Sequence, residues 1–175
     1  PEDVQRVIVG YDGRHKSLEF AQAAASVFAS RGMDVLLFPR PAPTPVLAFY
    51  VRHLEAAAGV MITASHNPPN DNGYKLYMSD GRQIVSPTDL EIQEVRKTVV
   101  SDHPTEGCAY NVLPENFLDA YVSRLKSREH PSAIRVAYSA MHGVGSETVR
   151  ALYKDEPQVD IRFFGPQEHP DPDLP

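Results

Sequence analysis

Short apolar runs alternate with amphipathic stretches along this chain, and this alternation predicts β-α-β units. The run RVIVGYDG at 6–13 ends in a turn that contains glycine, which is typical of a buried strand. Ser17 is predicted to cap the helix that follows, and Gly32 to end it. The predicted buried face of this helix carries apolar residues at i, i+4, i+7 and i+8: Phe20, Ala24, Val27 and Phe28. A second strand at 33–39 completes the first unit.

The alternation continues beyond a proline-rich loop at 40–46. Thr44 is the predicted N-cap of a second helix, and Pro45 is its predicted first helical residue. The apolar side of this helix consists of Val46, Phe49, Tyr50 and Leu54. After the strand VMIT, two further strands at 74–78 and 82–85 are predicted to form a hairpin around Asp80-Gly81.

Two more helices are predicted before a polar linker at 127–133. One starts at Ser86-Pro87, with Asp89 and Glu91 in its first turn, where the helix dipole favours acidic residues. The other starts at Pro114. Its predicted apolar stripe consists of Phe117, Leu118, Tyr121, Val122 and Leu125.

Beyond the linker, the sequence repeats its opening pattern. IRVAYSAMHGVGS at 134–146 matches the spacing of the first strand and turn, and another strand is predicted at 159–164. We therefore expect an α/β fold in which residues 1–130 form one domain with a mixed β-sheet flanked by helices. Residues 131–175 are expected to be the incomplete beginning of a second, similar α/β domain.

Composition excludes several classes of function. A formal net charge of −6 argues against nucleic-acid binding but not against a phosphorylated substrate, because a local group of basic residues can outweigh the overall charge. The single cysteine, Cys108, cannot form an internal disulfide and fits a reducing compartment. No apolar run approaches the roughly 20 residues that span a membrane. A cytoplasmic protein is expected, and the sequence says nothing of its oligomeric state.

The loop after VMIT carries the candidate chemistry. Ser65 lies just beyond a strand's carboxyl end, which is where ligands bind in open α/β sheets. A single serine at such a place is more often a turn residue that bonds nearby backbone, and a nucleophile is the sharper alternative. Arg14 and Lys16 follow the first strand at the same edge of the sheet, and Lys75 lies in the strand after the loop, on the face that also carries Tyr77.

Rival chemistries fit this loop poorly. His66 directly follows Ser65 and points to the other side of an extended segment, so it is badly placed as a base, and no G-x-S-x-G motif is present. The seven histidines have no zinc-ligand spacing, and no Walker loop occurs. Phosphoryl transfer remains, because a phosphoserine would need the cations that the sequence places nearby.

The stretch TASHNPPNDNGYKLY resembles the phosphoserine loop of the α-D-phosphohexomutase superfamily, which includes phosphoglucomutase and phosphomannomutase. GYDGRHKS, the TPV that opens the second helix, SDGRQIVSP and AMHGVG also resemble this superfamily, in the same order. The resemblance covers nearly the whole chain. It is closest to the branch that contains phosphoglucomutase/phosphopentomutase and glucose-1,6-bisphosphate synthase.

The resemblance implies a role for each matching residue. Ser65 would hold the transferable phosphate and pass it to a sugar hydroxyl. Lys75 would be a general acid/base, and Arg14 would support the phosphoserine site. His66 and Asn67 would contact phosphate or substrate, with Lys16 nearby. Two carboxylates, Asp12 and Asp71, would brace loops, and His142 would belong to a turn of the second domain.

The resemblance also implies partners. The substrate would be a phosphosugar, the activator a sugar bisphosphate of the glucose 1,6-bisphosphate type, and the cofactor Mg²⁺. Ser65 would bind the metal through its phosphate. The family's Asp-x-Asp-x-Asp loop and its sugar-recognition loops do not occur in this sequence, and Asp171 and Asp173 are a poor substitute. We therefore expect no mutase turnover from the chain alone. The alternative is a non-catalytic module that binds a sugar phosphate or a partner protein.

Overall fold

The predicted alternation of strands and helices forms a layered α/β fold in the computed structural model, which describes residues 5–99, 108–126 and 133–174. The strands are β1 (Arg6–Tyr11), β2 (Asp34–Leu37), β3 (Ala58–Ile62), β4 (Tyr74–Met78), β5 (Asn111–Val112), β6 (Ile134–Tyr138) and β7 (Val159–Phe163). The helices are α1 (Ser17–Ser30), α2 (Thr44–His53), α3 (Thr88–Thr98), α4 (Leu118–Lys126) and α5 (Ser146–Tyr153), and a short 3₁₀ turn follows at Gly165–Gln167.

The first sheet has five strands in the order β4-β3-β1-β2-β5. Strands β1, β2, β3 and β5 run parallel, and β4 pairs antiparallel with β3. This mixed sheet confirms the predicted fold class. β1 and β3 are buried along almost their whole length, because helices cover both faces of the sheet. The carboxyl ends of the parallel strands meet at one edge, where the loop with Ser65 begins.

The predicted buried face of α1 is only partly right: Phe28 packs against the core as predicted, but two other members of the face are exposed. Phe20 and Val27 are 46% and 41% exposed, whereas Ala21 and Ala25 are fully buried. Small side chains allow the helix axis to approach the sheet closely, so they face the sheet instead of the larger residues. Ser17 is also not the cap: Lys16 precedes the helix with a left-handed backbone, φ 61°, and Ser17 is the first helical residue.

Helix α2 follows its prediction more closely. It begins at Thr44, and its N-cap is Pro43, one residue earlier than expected, without a side-chain cap. Val46 and Tyr50 are buried as predicted, and Phe49 and Leu54 pack against the core.

The strand predicted at 82–85 does not form. Residues 82–85 make two backbone hydrogen bonds with β4, from Met78 N to Arg82 O and from Ile84 N to Leu76 O, with a single bridge between Tyr77 and Gln83. It then turns toward α3, so the ladder is too short to count as a strand.

The remaining helices differ from the predictions mainly at their ends. α3 has Asp89 and Glu91 in its first turn, as predicted. α4 begins at Leu118 instead of Pro114, because the residues between them form a turn closed by a hydrogen bond from Phe117 N to Pro114 O. The predicted stripe of α4 is confirmed by the burial of Phe117, Leu118 and Val122. β5 was not predicted, since two residues are too few to show a period.

The second β-α-β unit forms as predicted. β6 and β7 pair in parallel over five residues each, and α5 lies between them in sequence. The linker predicted at 127–133 falls mostly outside the described residues, so the domain boundary stays a prediction. Within the described part of the chain, no helix has both the length and the apolar character required to cross a membrane.

Gly59 in β3 provides a test of core packing. A Cβ atom there would lie 2.4 Å from Val51 Cγ2 of α2. We expect Gly59→Ala to lower the free energy of unfolding by about 1–3 kcal/mol, as overpacking does. Gly165→Ala is the matched control, because a Cβ at Gly165 meets nothing within 4 Å. Urea unfolding measures both variants, and equal midpoints would contradict the packing described here.

Candidate active site

Ser65 lies at the start of a loop that connects β3 to β4. Its backbone has φ 55°, a left-handed conformation that is uncommon for a residue other than glycine. The Ser65 amide donates to Thr63 Oγ1 at 3.0 Å, and the Thr63 amide donates to the carbonyl oxygen of Gly73 at 3.0 Å. Gly73 allows this close approach, because a Cβ there would lie 2.6 Å from the Thr63 oxygen. The loop therefore leaves and rejoins the sheet at adjacent points.

The Arg14 side chain holds the loop from inside. It is buried, and its guanidinium donates to four loop carbonyl oxygens. The acceptors are the backbone oxygens of Ser65 at 2.7 Å, Asn67 at 2.7 Å, Pro68 at 2.8 Å and Asp71 at 3.2 Å. The remaining donor, Nε, lies 3.5 Å from Asp12 Oδ2. All five N–H donors of the fork thus face the loop or Asp12.

Asp12 connects this brace to helix α1. Its Oδ1 accepts hydrogen bonds from the Arg14 amide at 3.0 Å and from Ser17 Oγ at 2.7 Å. Asn72 Nδ2 in turn donates to Ser17 Oγ and to the His15 carbonyl oxygen. The turn after β1 and the Ser65 loop are therefore joined by a continuous polar network. Asp71 contributes its backbone carbonyl oxygen to Arg14.

Lys75 contacts the candidate nucleophile directly. It lies in β4 opposite Met61 of β3, and its Nζ donates to Ser65 Oγ at 2.5 Å. Strand alternation places the Tyr77 side chain on the same face, where it is buried. The sheet thus fixes the start of the lysine side chain, and the loop fixes the serine.

The other predicted site residues are exposed. His66 and Asn67 lie at the tip of the same loop, and the Asn67 amide donates to the carbonyl oxygen of Ala64 at 3.1 Å. Lys16 precedes α1 and is exposed.

A cleft of about 210 Å³ opens beside Ser65 between the two sheets. Asp12, Arg14 and Thr63 line it from the first sheet. The turn at 142–144 and the segment at 171–174 line it from the other side. Residues from two separate β-α-β units therefore share one concave surface.

His142 does belong to a turn, as predicted, and that turn also faces the cleft. Its backbone has φ 60°, its amide donates to the Gln167 carbonyl oxygen, and its own carbonyl oxygen accepts from the Asp171 amide. Asp173 Oδ1 lies 2.7 Å from His15 Nε2 and so connects the last segment to the turn after β1.

Sequence reasoning missed Arg40, which joins the two units. Its guanidinium forms ion pairs with Glu115, before α4, and with Glu147, in the first turn of α5. It also lies 4.9 Å from the centroid of the Phe117 ring. The hydrogen bond from Arg40 to Glu147 raises the pKa of Arg40, with further contributions from both carboxylates. No local sequence pattern marks this arginine, because its partners are 75 and 107 residues away.

The resemblance implies a bound Mg²⁺ ion, so the residues near Ser65 would have to supply ligands for it. Among residues 5–99, 108–126 and 133–174, no group of three or more histidine, cysteine, aspartate or glutamate side chains is arranged to hold a metal ion. Asp12, the carboxylate of the first sheet that lines the cleft, is already engaged by Arg14 and Ser17. The described residues by themselves do not fit Mg²⁺.

Comparison with known proteins identifies the family. Residues 2–101 match the family described as phosphoglucomutase/phosphomannomutase, alpha/beta/alpha domain I. The chain belongs to the phosphoglucomutase/phosphomannomutase family. This result confirms the superfamily that the loop motif indicates.

The relatives in this family are named after different substrates. A probable phosphomannomutase of Haemophilus influenzae is 43% identical over 82% of this chain, and a human phosphopentomutase is 32% identical over 97% of it. The matched region is 31% of the length of each of these relatives. A putative phosphomannomutase of Thermus thermophilus, solved by crystallography, superposes with a TM-score of 0.83 at 31% identity, over 98% of this chain and 39% of that one. The branch within the mutase family stays a prediction, because the names differ.

Replacing the Arg14 fork tests the brace of this mutase loop. Arg14→Lys retains the positive charge near Asp12 but cannot bond four carbonyl oxygens at once. We expect amide hydrogen exchange in residues 65–71 to rise by roughly tenfold or more, with little change in β1. Arg31→Lys, at an exposed arginine after α1, is the control. Unchanged exchange in the loop would show that the arginine does not hold it.

Proposed function

We propose that this chain carries the phosphoserine site of a phosphosugar mutase, with Ser65 as the residue that accepts and donates phosphate. The observation that carries this proposal is the contact between Lys75 Nζ and Ser65 Oγ on a loop braced from inside by Arg14. A turn serine that only bonds nearby backbone would not require a lysine at its hydroxyl. The family and its phosphomannomutase and phosphopentomutase relatives support a phosphorylated sugar as substrate.

In the proposed forward step, a sugar hydroxyl attacks the phosphorus of phosphorylated Ser65. The bond from phosphorus to Ser65 Oγ breaks, and a bond from phosphorus to the sugar oxygen forms. Ser65 Oγ takes a proton from Lys75, and the proton released by the sugar hydroxyl restores the lysine. The sugar bisphosphate then turns in the site and returns its other phosphate to Ser65 by the reverse exchange. Positioning and charge neutralisation supply most of the catalysis in such transfers.

Arg14 has a supporting role in this proposal. Because its donors face the loop carbonyl oxygens and Asp12, it acts by fixing the position of Ser65 and does not bind the phosphate directly. We propose that His66 and Asn67, at the tip of the loop, and Lys16, before α1, contact phosphate or substrate.

The family implies Mg²⁺ and a bisphosphate activator of the glucose 1,6-bisphosphate type, and these remain part of the proposal. In this loop, the phosphate oxygens of phosphorylated Ser65 would be the metal ligands. The described residues do not complete a metal site. Each step proposed above is therefore assigned to a residue of this chain and not to a metal ion. We also propose that the chain belongs to the phosphoglucomutase/phosphopentomutase branch of the family. Competition between the different phosphosugars as substrates would test this branch.

The phosphorylation site is the first test. After incubation of the chain with glucose 1,6-bisphosphate, we expect peptide mapping by mass spectrometry to locate phosphate on Ser65. Ser65→Ala should abolish the modification, and Ser79→Ala, which changes an exposed serine after β4, should retain it. Phosphate on another residue, with Ser65 unmodified, would refute the assignment and favour the non-catalytic alternative.

Lys75 provides the second test. Lys75→Ala is expected to slow phosphoryl transfer to Ser65 by about 10²–10⁴-fold, which is typical of lost acid–base catalysis. The free energy of unfolding should change by less than about 0.5 kcal/mol, since the ammonium group makes no core contact. The control is Lys97→Ala, whose side chain is exposed in α3 and pairs with Glu94. Single-turnover rates from intact mass measure the effect, and a rate like that of the control would assign Lys75 to the surface.

A further inference from the structure

A second cavity lies at the opposite end of the first sheet from Ser65. It is a groove of about 600 Å³ between the end of α2, the turn after β4 and the side of α4. We call it the basic groove. Its charged and aromatic lining consists of Phe49, Arg52, His53, Asp80, Arg82, Tyr121 and Arg124. Its volume is in the range of small-molecule sites.

The basic groove is separate from the candidate active site. Thr44, at the start of α2, lines the Ser65 cleft, whereas Arg52 and His53 in its last turn line the groove. The ten residues of this helix separate the two ends by about 15 Å. Strand β4 runs the same way, from Lys75 near Ser65 to the turn that carries Arg82. Nothing in the proposed transfer reaction uses this end of the sheet.

The charge of the groove differs from that of the whole chain. The chain has a formal net charge of −6, but three arginines and a single carboxylate, Asp80, line this cavity. The Arg52 side chain forms no hydrogen bond or ion pair within the described part of the chain, and Arg82 Nε lies 3.6 Å from Asp80 Oδ2. The cavity therefore presents guanidinium groups from three different elements.

The Asp80-Gly81 turn, which precedes Arg82, packs against α2 at Arg52. Gly81 has φ 76°, and a Cβ there would lie 2.9 Å from Arg52 Cγ and 2.8 Å from the Ala48 carbonyl oxygen. The turn is thus pressed against α2, which brings Arg82 beside Arg52.

One wall of the groove is aromatic. The Phe49 and His53 rings stack at a centroid distance of 4.9 Å and an angle of 17°. Tyr121 packs edge-on against Phe49 at 5.4 Å. A flat ring can lie on such a wall while its anionic groups meet the arginines, since bases stack on aromatic side chains regardless of sequence.

A simpler account explains part of this arrangement. Basic residues in the last turn of a helix interact favourably with its dipole, and Arg52, His53 and Arg124 occupy such positions. That account does not cover Arg82, which belongs to neither helix. The convergence of all these groups on one cavity requires a further reason.

We propose that the basic groove binds a nucleoside diphosphate. Arg52 and Arg82 would pair with the diphosphate oxygens, since guanidinium groups bind phosphate bidentately, and the base would lie on the aromatic wall. The proposal is independent of the reaction proposed for Ser65. It gives this domain a second ligand at the amino ends of the parallel strands.

The test uses the 175-residue chain and isothermal titration with ADP and with pyrophosphate. We expect ADP to bind with a Kd below about 1 mM and at least about fivefold more tightly than pyrophosphate, because stacking adds to the affinity. Arg52→Gln/Arg82→Gln should weaken ADP binding by about tenfold or more. The control Arg31→Gln, which removes an exposed arginine outside the groove, should bind ADP as the unmodified chain does.

A second variant separates this site from the candidate active site. Ser65→Ala should leave ADP binding unchanged, because Ser65 does not line the basic groove. The result therefore does not depend on whether Ser65 is phosphorylated. Circular dichroism checks that the double variant is folded. No ADP binding, equal binding by Arg52→Gln/Arg82→Gln, or loss of binding in Ser65→Ala would each overturn the proposal. Equal affinity for ADP and pyrophosphate would overturn the nucleoside assignment.

Discussion

The candidate site depends on the hydrogen bonds that the buried Arg14 guanidinium donates to the Ser65 loop. Burying a charge is costly unless it is paired and its donors are satisfied, and here four backbone carbonyl oxygens and Asp12 satisfy them. The same bonds force the loop after β3 into one shape, with Ser65 in a left-handed conformation. Lys75, fixed in the neighbouring strand, then reaches the serine hydroxyl. The geometry around the candidate nucleophile therefore depends on the Arg14 guanidinium and its satisfied donors.

The second β-α-β unit completes the surroundings of this loop. Arg40 links Glu115 and Glu147 across the two units, and His15 reaches Asp173. These contacts place the 142–144 turn across the cleft from Ser65. Ion pairs with exposed partners are individually weak, so the arrangement depends on several of them acting together.

Two different sets of functional side chains lie at the two ends of the first sheet. At the carboxyl ends of the parallel strands, polar loops surround a serine and a lysine, the usual position for ligands in open α/β sheets. At the amino ends, arginines and stacked rings line the basic groove. Helix α2 spans the distance between them, with Thr44 at one site and Arg52 at the other. A ligand in the groove would therefore contact the same helix that borders the cleft.

The sequence by itself determined the family, the position of Ser65 and most of the order of strands and helices, because hydrophobic period, turn residues and the loop motif are all local signals. The exceptions are β5, which was not predicted, and the strand predicted at 82–85, which does not form. Only the tertiary structure decided which face of α1 is buried, since close approach to the sheet favours Ala21 and Ala25 over larger neighbours. The loop partners of Arg14 and the carboxylate partners of Arg40 were likewise hidden, because they lie more than 50 residues away. Local pattern specifies elements, whereas packing between distant segments specifies what each charged side chain does.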